Sequence, residues 1–209
     1  MKLEIREELE QEIMQYPIMQ FAYLRTEQIT FLDRVREICR TECPRYGTSW
    51  SCPPAVGTVE ECERRCSQFP DVFVFSTIAE VNDITNMEET LKTREAHEDI
   101  TRQVTEIFRE HFGDTITLST ESCDICTRCA YPQAPCRHPE KMFPCVESYG
   151  ILVTDLAELG EMEFQNGSNL VTWFSVIFYN ASGVHKLNTK ETQNHHDSVT
   201  NLSKKTDIL

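Results

Sequence analysis

Four cysteines in one short stretch of the chain have the spacing of a metal-binding loop. Cys123, Cys126 and Cys129 are separated by two residues each, and Cys136 follows after six more. Thiolates at such intervals hold iron–sulfur clusters, because the short gaps wrap the backbone around the inorganic centre and turn its N–H groups towards the sulfurs. Cys-x2-Cys steps also suit tetrahedral zinc. The third cysteine at the same gap favours an iron–sulfur cluster, with zinc as the alternative. We expect the [4Fe–4S] type, although four thiolates hold [2Fe–2S] clusters as well.

A second group of cysteines lies upstream. Cys39 and Cys43 are four residues apart at the end of a predicted helix, so they share one face, and Cys52 follows after a loop rich in glycine and proline. These three residues predict another set of thiolate ligands. Cys66 is the candidate fourth ligand, with Cys62 as its alternative. Both residues can instead pack in the core, since cysteine is among the residue types most often buried.

The number of thiolates at each site decides what it can do. Cys136 closes the downstream set, and we prefer it to Cys145 because the shorter loop loses less entropy on closure. A closed four-thiolate set suits electron transfer or a structural role. If only three thiolates reach the upstream centre, one iron stays open to a small ligand. The predicted function is therefore electron transfer or an accessory redox role with one or two clusters. A zinc-binding structural or interaction module and an enzyme with an open iron are the alternatives.

Charge and cysteine content limit the class of protein. The formal charge of −14 argues against binding to nucleic acid, whose phosphates need a basic surface, and is compatible with docking to a basic redox partner. The first residues are acidic and mixed rather than basic and then apolar, so we expect no secretory leader. The longest apolar run, residues 170–179, is too short to span a membrane. We therefore expect a cytoplasmic protein with reduced thiols that bind metal.

Hydrophobic periodicity predicts an α/β fold in which a small central sheet is flanked by helices and carries the two cysteine-rich loops near one edge or end. Helices are predicted at residues 3–16, 33–40, 58–68, 86–112 and, as a turn, 142–148. Strands are predicted at residues 18–24, 72–75, 115–120, 151–153 and 170–179. One domain is expected over residues 1–182. Residues 183–209 are polar and are predicted to be a disordered tail.

Two motifs resemble the signatures of a family of prokaryotic predicted metal-binding proteins, a domain of unknown function. The first is Cys39-x3-Cys43-Pro44-x-Tyr46-Gly47-x2-Trp50-x-Cys52-Pro53-Pro54. The second is Cys123-x2-Cys126-x2-Cys129, then Pro135-Cys136-Arg137-His138-Pro139-Glu140, then Glu147-x2-Gly150-Ile151. The resemblance spans residues 21–155 and implies a cytoplasmic metal or iron–sulfur protein. The family pattern has three cysteines in its first signature, which makes Cys62, Cys66 and Cys145 additions in this chain.

Overall fold

The computed structural model describes residues 1–182; the predicted disordered tail, residues 183–209, lies outside them. Its helices are α1 (Leu3–Ile13), α2 (Asp33–Glu42), α3 (Val59–Cys66), α4 (Met87–Phe112) and α5 (Val153–Leu159). Its strands are β1 (Gln20–Arg25), β2 (Asp71–Glu80), β3 (Ile116–Leu118) and β4 (Leu170–Tyr179). Within the described range, no helix is both long enough and apolar enough to cross a membrane.

The four strands form one antiparallel sheet in the order β1-β2-β4-β3. The central strands pair along their whole length, from Asp71 opposite Tyr179 to Glu80 opposite Leu170. Their continuous apolar sequence follows from this central position, because a strand covered on both faces needs no polar side. The predicted mixed α/β fold with a small central sheet and flanking helices is confirmed.

Helices cover both faces of the sheet. Side chains alternate along β2, so Phe73 and Phe75 point to one face, where they pack with residues of α1 and α4 such as Phe108. Val72 and Val74 point to the other face, where α3 and α5 cover them. The two cores lie on opposite sides of a single sheet, which explains why nearly every position of the central strands is buried.

Helix α4 is partly exposed. Val104 and Phe108 are fully buried, whereas Met87 is 60% exposed. The helix begins where the Asn86 side chain accepts a hydrogen bond from the backbone N–H of Glu89, at 3.3 Å. The buried stripe lies against the sheet, and the opposite side of the helix faces water.

One predicted strand is wrong. Residues 151–153 form no strand; a 3₁₀ turn at Glu147–Tyr149 is followed by Gly150 in the left-handed region, and α5 starts at Val153. Gly150 accepts a hydrogen bond from the backbone N–H of Leu32 at 2.7 Å, which fixes this turn beside the start of α2. Ile151 is buried beneath the helices instead of in the sheet. A short apolar run does not distinguish a buried strand from other buried segments.

Candidate metal centres

Four cysteines line a cavity of about 280 Å³ beside the end of α2, which we call the first cavity. Cys39 lies in the last turn of α2 and Cys43 is the residue at which that helix ends. Cys52 reaches the cavity through the loop that follows. These three residues are the predicted upstream set, and the structure brings them together. The fourth cysteine is Cys145, which the sequence did not assign to this group.

The loop between Cys43 and Cys52 folds back on itself. Gly47 has a φ of 70° and its backbone N–H donates to the carbonyl of Pro53 at 2.8 Å. A glycine suits this position because other residues rarely adopt a positive φ. The closure returns the chain to the cavity, so that cysteines nine residues apart line the same space.

Burial in the first cavity disfavours the charged, thiolate form of its cysteines. Burial raises the pKa of the Cys39 thiol to about 11, and burial also raises the pKa of Cys52. The pKa of Cys145 lies well above its usual range, mainly because of burial, with repulsion from Glu147 and Cys52 adding to it. The Cys145 thiol donates a hydrogen bond to Glu147 Oε2 at 3.2 Å. Metal ligation must therefore displace the protons of these thiols.

Cys62 and Cys66 lie elsewhere. Both are fully buried on α3 within the apolar core. The sulfur of Cys62 accepts a hydrogen bond from Arg65 Nη2 at 3.1 Å, and its thiol donates to the carbonyl of Val56 at 3.6 Å. Neither residue lines the first cavity. Both residues therefore pack in the core, which was the alternative to a ligand role. A ligand role for Cys66 stays a prediction.

A second cavity, of about 20 Å³, is lined by the four cysteines of the downstream loop: Cys123, Cys126, Cys129 and Cys136. The loop runs between β3 and the 3₁₀ turn and contains neither helix nor strand. A parallel β-bridge between Ser119 and Cys145 joins its two ends. The sequence predicted this set of four, and the structure places all of them around one space.

Backbone N–H groups point at the sulfurs of this loop. The N–H of His138 donates to Cys136 Sγ at 3.4 Å. Burial alone would raise the pKa of the Cys129 thiol, but hydrogen bonds from the backbone of Tyr131, Trp50 and Ala130 and from the Ser49 side chain together outweigh it and lower that pKa. Donors of this kind stabilise a thiolate and are the ligand environment that the short cysteine gaps predict.

The two cavities share a wall. Trp50 lines the second cavity and Cys52 lines the first; likewise Ser122 lines the first and Cys123 the second. Ser51 lies between them: its hydroxyl oxygen accepts a hydrogen bond from the backbone N–H of Cys123 at 2.9 Å and lies 3.7 Å from Cys52 Sγ. Ser122 and Cys123 are consecutive residues that line different cavities, and consecutive Cα atoms are about 3.8 Å apart. The two cavities are therefore immediate neighbours.

The tryptophan of the upstream motif covers the downstream cavity. Trp50 Nε1 donates to the carbonyl of Ala134 at 3.0 Å, and its ring meets the ring of Tyr131 edge to face at 5.0 Å between centroids. Tyr46 remains at the first cavity. Both aromatic residues belong to the first motif, and its spacing gave no sign that they line different cavities.

Arg94 is a residue at the site that sequence reasoning missed. Its side chain is 4% exposed, donates to the carbonyl of Ser122 and forms an ion pair with Asp124, which anchors the start of the downstream loop to α4. The signal was present: Arg94 continues the buried stripe of α4 at helical spacing from His97 and Thr101. A polar stripe on a buried helix face indicates partners across the interface.

The thiols surround the cavities without converging on a point. Within residues 1–182, no three histidine, cysteine, aspartate or glutamate side chains are grouped closely enough to hold a single metal ion. All ten cysteines are free, so a disulfide framework is absent from this described range. Each cavity presents soft sulfur donors and few other ligands, a set that suits iron–sulfur clusters and zinc.

Comparison with known proteins agrees with the donor chemistry. No curated protein and no solved structure gives a significant match to the chain. The sequence profile of DUF2284, described as a predicted metal-binding protein, matches residues 22–179. That segment covers both cysteine loops and all of the sheet except its first two residues. The chain therefore belongs to the DUF2284 family of predicted metal-binding proteins.

Proposed function

We propose that this protein is an electron-transfer or accessory redox protein with a [4Fe–4S]-type cluster in each of the two cysteine cavities. One observation carries the proposal: cysteines line two adjacent cavities, four in each. Thiolate sets of this size hold iron–sulfur clusters, which supply one-electron storage at a potential set by their surroundings.

The first cavity has room for a cluster, since four thiols are among the residues that line about 280 Å³. Zinc, the alternative, binds four thiolates at about 2.3 Å, so the thiols would have to converge further to hold it. The second cavity is tighter, at about 20 Å³, so its loop must widen to admit a cluster. That loop has no helix or strand to resist the change.

The protein contributes shielding and hydrogen bonds. Trp50 lines the second cavity with its ring against that of Tyr131, while N–H groups reach Cys129 and Cys136. Hydrogen bonds to the sulfurs and the exclusion of water are the means by which a protein tunes a cluster's reduction potential. Ser51 links the two thiolate sets by hydrogen bonds, an arrangement suited to centres that work as a pair.

A basic redox partner fits the charge of the chain. Acidic residues outnumber basic ones by 34 to 20. An open depression of about 840 Å³ next to the downstream loop is lined by five carboxylates, among them Glu95 and Asp124, and by three basic side chains, so its net charge is negative. Association driven by such charges weakens as salt screens them. Reduction by a basic carrier should therefore slow as ionic strength rises, whereas reduction by a neutral dye should not.

Metal and sulfide analysis of protein purified without oxygen tests the proposal. Brown protein with iron and acid-labile sulfide in equal amounts is expected, close to two four-iron clusters per chain. Cys126→Ser should remove about half of both, because it deletes one thiolate of one set. Colourless protein with stoichiometric zinc and no sulfide would contradict the proposal and make the cysteine loops structural.

A further inference from the structure

Cys145 faces the first cavity although it directly follows the downstream loop in the sequence. Its side chain lines the same space as those of Cys39, Cys43 and Cys52. The four cysteines of the downstream loop line the other cavity without it. Proximity in the chain would assign Cys145 to the loop before it, and the fold assigns it to the opposite side of the shared wall.

The backbone holds Cys145 in this place from both sides. Ser119, directly after β3, donates its N–H to the carbonyl of Pro144 and accepts from the N–H of Val146, both at 2.9 Å. The N–H of Cys145 itself points to the carbonyl of Ser51 at 3.4 Å. The pairing with Ser119 makes Cys145 an extension of the sheet edge. The sheet edge therefore fixes the position from which the Cys145 side chain lines the cavity.

Cys66, the predicted fourth ligand, and its alternative Cys62 are less well placed for this role. Cys62 and Cys66 are both fully buried in the apolar core on α3, and each lies among hydrophobic side chains. Moving either sulfur into the first cavity would require part of α3 to leave the core. Cys145 needs no such rearrangement, because it already lines the cavity.

We propose that Cys145 supplies the fourth thiolate of the metal centre in the first cavity. The inference rests on the proposed function, since it takes this cavity to be a metal site. Ligation replaces the S–H bond of Cys145 by a sulfur–metal bond, and the proton is released to solvent. In the metal-free protein this thiol donates its hydrogen bond to Glu147 at 3.2 Å, and ligation breaks that bond. Four thiolates leave no metal position open, so this centre serves electron transfer and not substrate binding.

The experiment compares wild type, Cys145→Ser and Cys66→Ser as full chains, reconstituted with iron and sulfide without oxygen. Iron, sulfide and the electron paramagnetic resonance (EPR) spectrum are measured for each. Cys145→Ser should lose about half of the iron and sulfide, or retain a three-iron centre with its own EPR signal. Cys66→Ser should match wild type. The retained second centre shows that the variant is folded.

Other outcomes separate the two proposals. Wild-type iron, sulfide and spectrum in Cys145→Ser would overturn the ligand assignment and leave the first centre with three thiolates. Zinc without sulfide in the wild type would overturn the proposed function, and the assignment would then be tested by zinc per chain in the same variants. Alkylation of the wild type needs no variant to fold: in the fully loaded chain, Cys145 should be protected together with Cys39 and Cys43. Reactivity of Cys145 in the fully loaded chain would also overturn the assignment.

Discussion

The hydroxyl oxygen of Ser51 accepts a hydrogen bond from the backbone N–H of Cys123, with 2.9 Å between the two atoms. The residues are 72 positions apart and belong to different cysteine loops. Ser51 is fully buried. The bond therefore joins the two loops at a point from which water is excluded, where an unpaired N–H would be unfavourable.

Replacing Ser51 by alanine should destabilise the protein. The N–H of Cys123 loses its partner, which costs about 1–3 kcal/mol for a buried donor. Chemical denaturation of the two proteins under reducing, oxygen-free conditions measures the difference in the free energy of unfolding. Ser67→Ala is the matched control, because Ser67 is exposed at the end of α3 and should change stability by less than about 0.5 kcal/mol. Equal effects of the two substitutions would show that the hydrogen bond to Cys123 contributes nothing.

Trp50 should report on the second cavity by its fluorescence. The chain has two tryptophans, and Trp173 lies in a separate small cluster with Val81 and Val171. In Trp173→Phe, loading with iron and sulfide should quench the remaining emission, because Trp50 lines the second cavity. In Trp50→Phe, the loss of emission should be much smaller. A full loss in Trp50→Phe would place the metal away from Trp50.

Gly150→Ala should destabilise the protein more than Gly47→Ala. Both glycines have a positive φ, at 83° and 70°, so both substitutions carry the left-handed cost of about 1–2 kcal/mol. A Cβ on Gly150 would also lie 3.1 Å from the carbonyl oxygen of Leu32 and from a methyl group of Val59, whereas a Cβ on Gly47 meets nothing within 4 Å. Thermal unfolding of the pair isolates this crowding. Equal losses would mean that Leu32 and Val59 yield without cost.

His97 should make stability depend on pH. Its ring bonds to the hydroxyls of Thr77 and Ser175, each at 2.8 Å, and burial lowers its pKa to about 3. In the unfolded chain the pKa is about 6.5, so between these values the unfolded state binds the extra proton. The contribution of neutral His97 is complete above about pH 6.5 and is lost as the pH falls towards 3.

The matched variant for this prediction is His97→Gln, which takes up no proton. The free energy of unfolding of the wild type should fall more steeply with acid than that of the variant, by about 1.4 kcal/mol per pH unit for one proton. Denaturation at several values between pH 3.5 and 6.5, roughly the window set by the two pKa values, measures both slopes. Parallel slopes would mean that His97 is protonated in the folded chain.

The sequence predicted most elements of the fold and seven of the eight cysteines that line the cavities. Spacing sufficed for Cys123 to Cys136, because that set is local in the chain. It failed for Cys145, whose position depends on pairing with Ser119 at the sheet edge. It also failed for Ile151, since a short buried run has no periodicity. Arg94 was missed for a related reason: its partners, Ser122 and Asp124, are close only after α4 packs against the sheet.

If both cavities bind metal, the wall that they share should couple the two sites thermodynamically. Ser51 and Cys52 are adjacent residues, and they are held by contacts to both cavities. If binding in one cavity orders this segment, binding in the other cavity then loses less conformational entropy. The effect is necessarily reciprocal: if filling the second cavity tightens binding at the first, filling the first tightens binding at the second by the same factor. Half-filled chains should consequently be scarce during titration with metal, and their population measures the coupling free energy between the two sites.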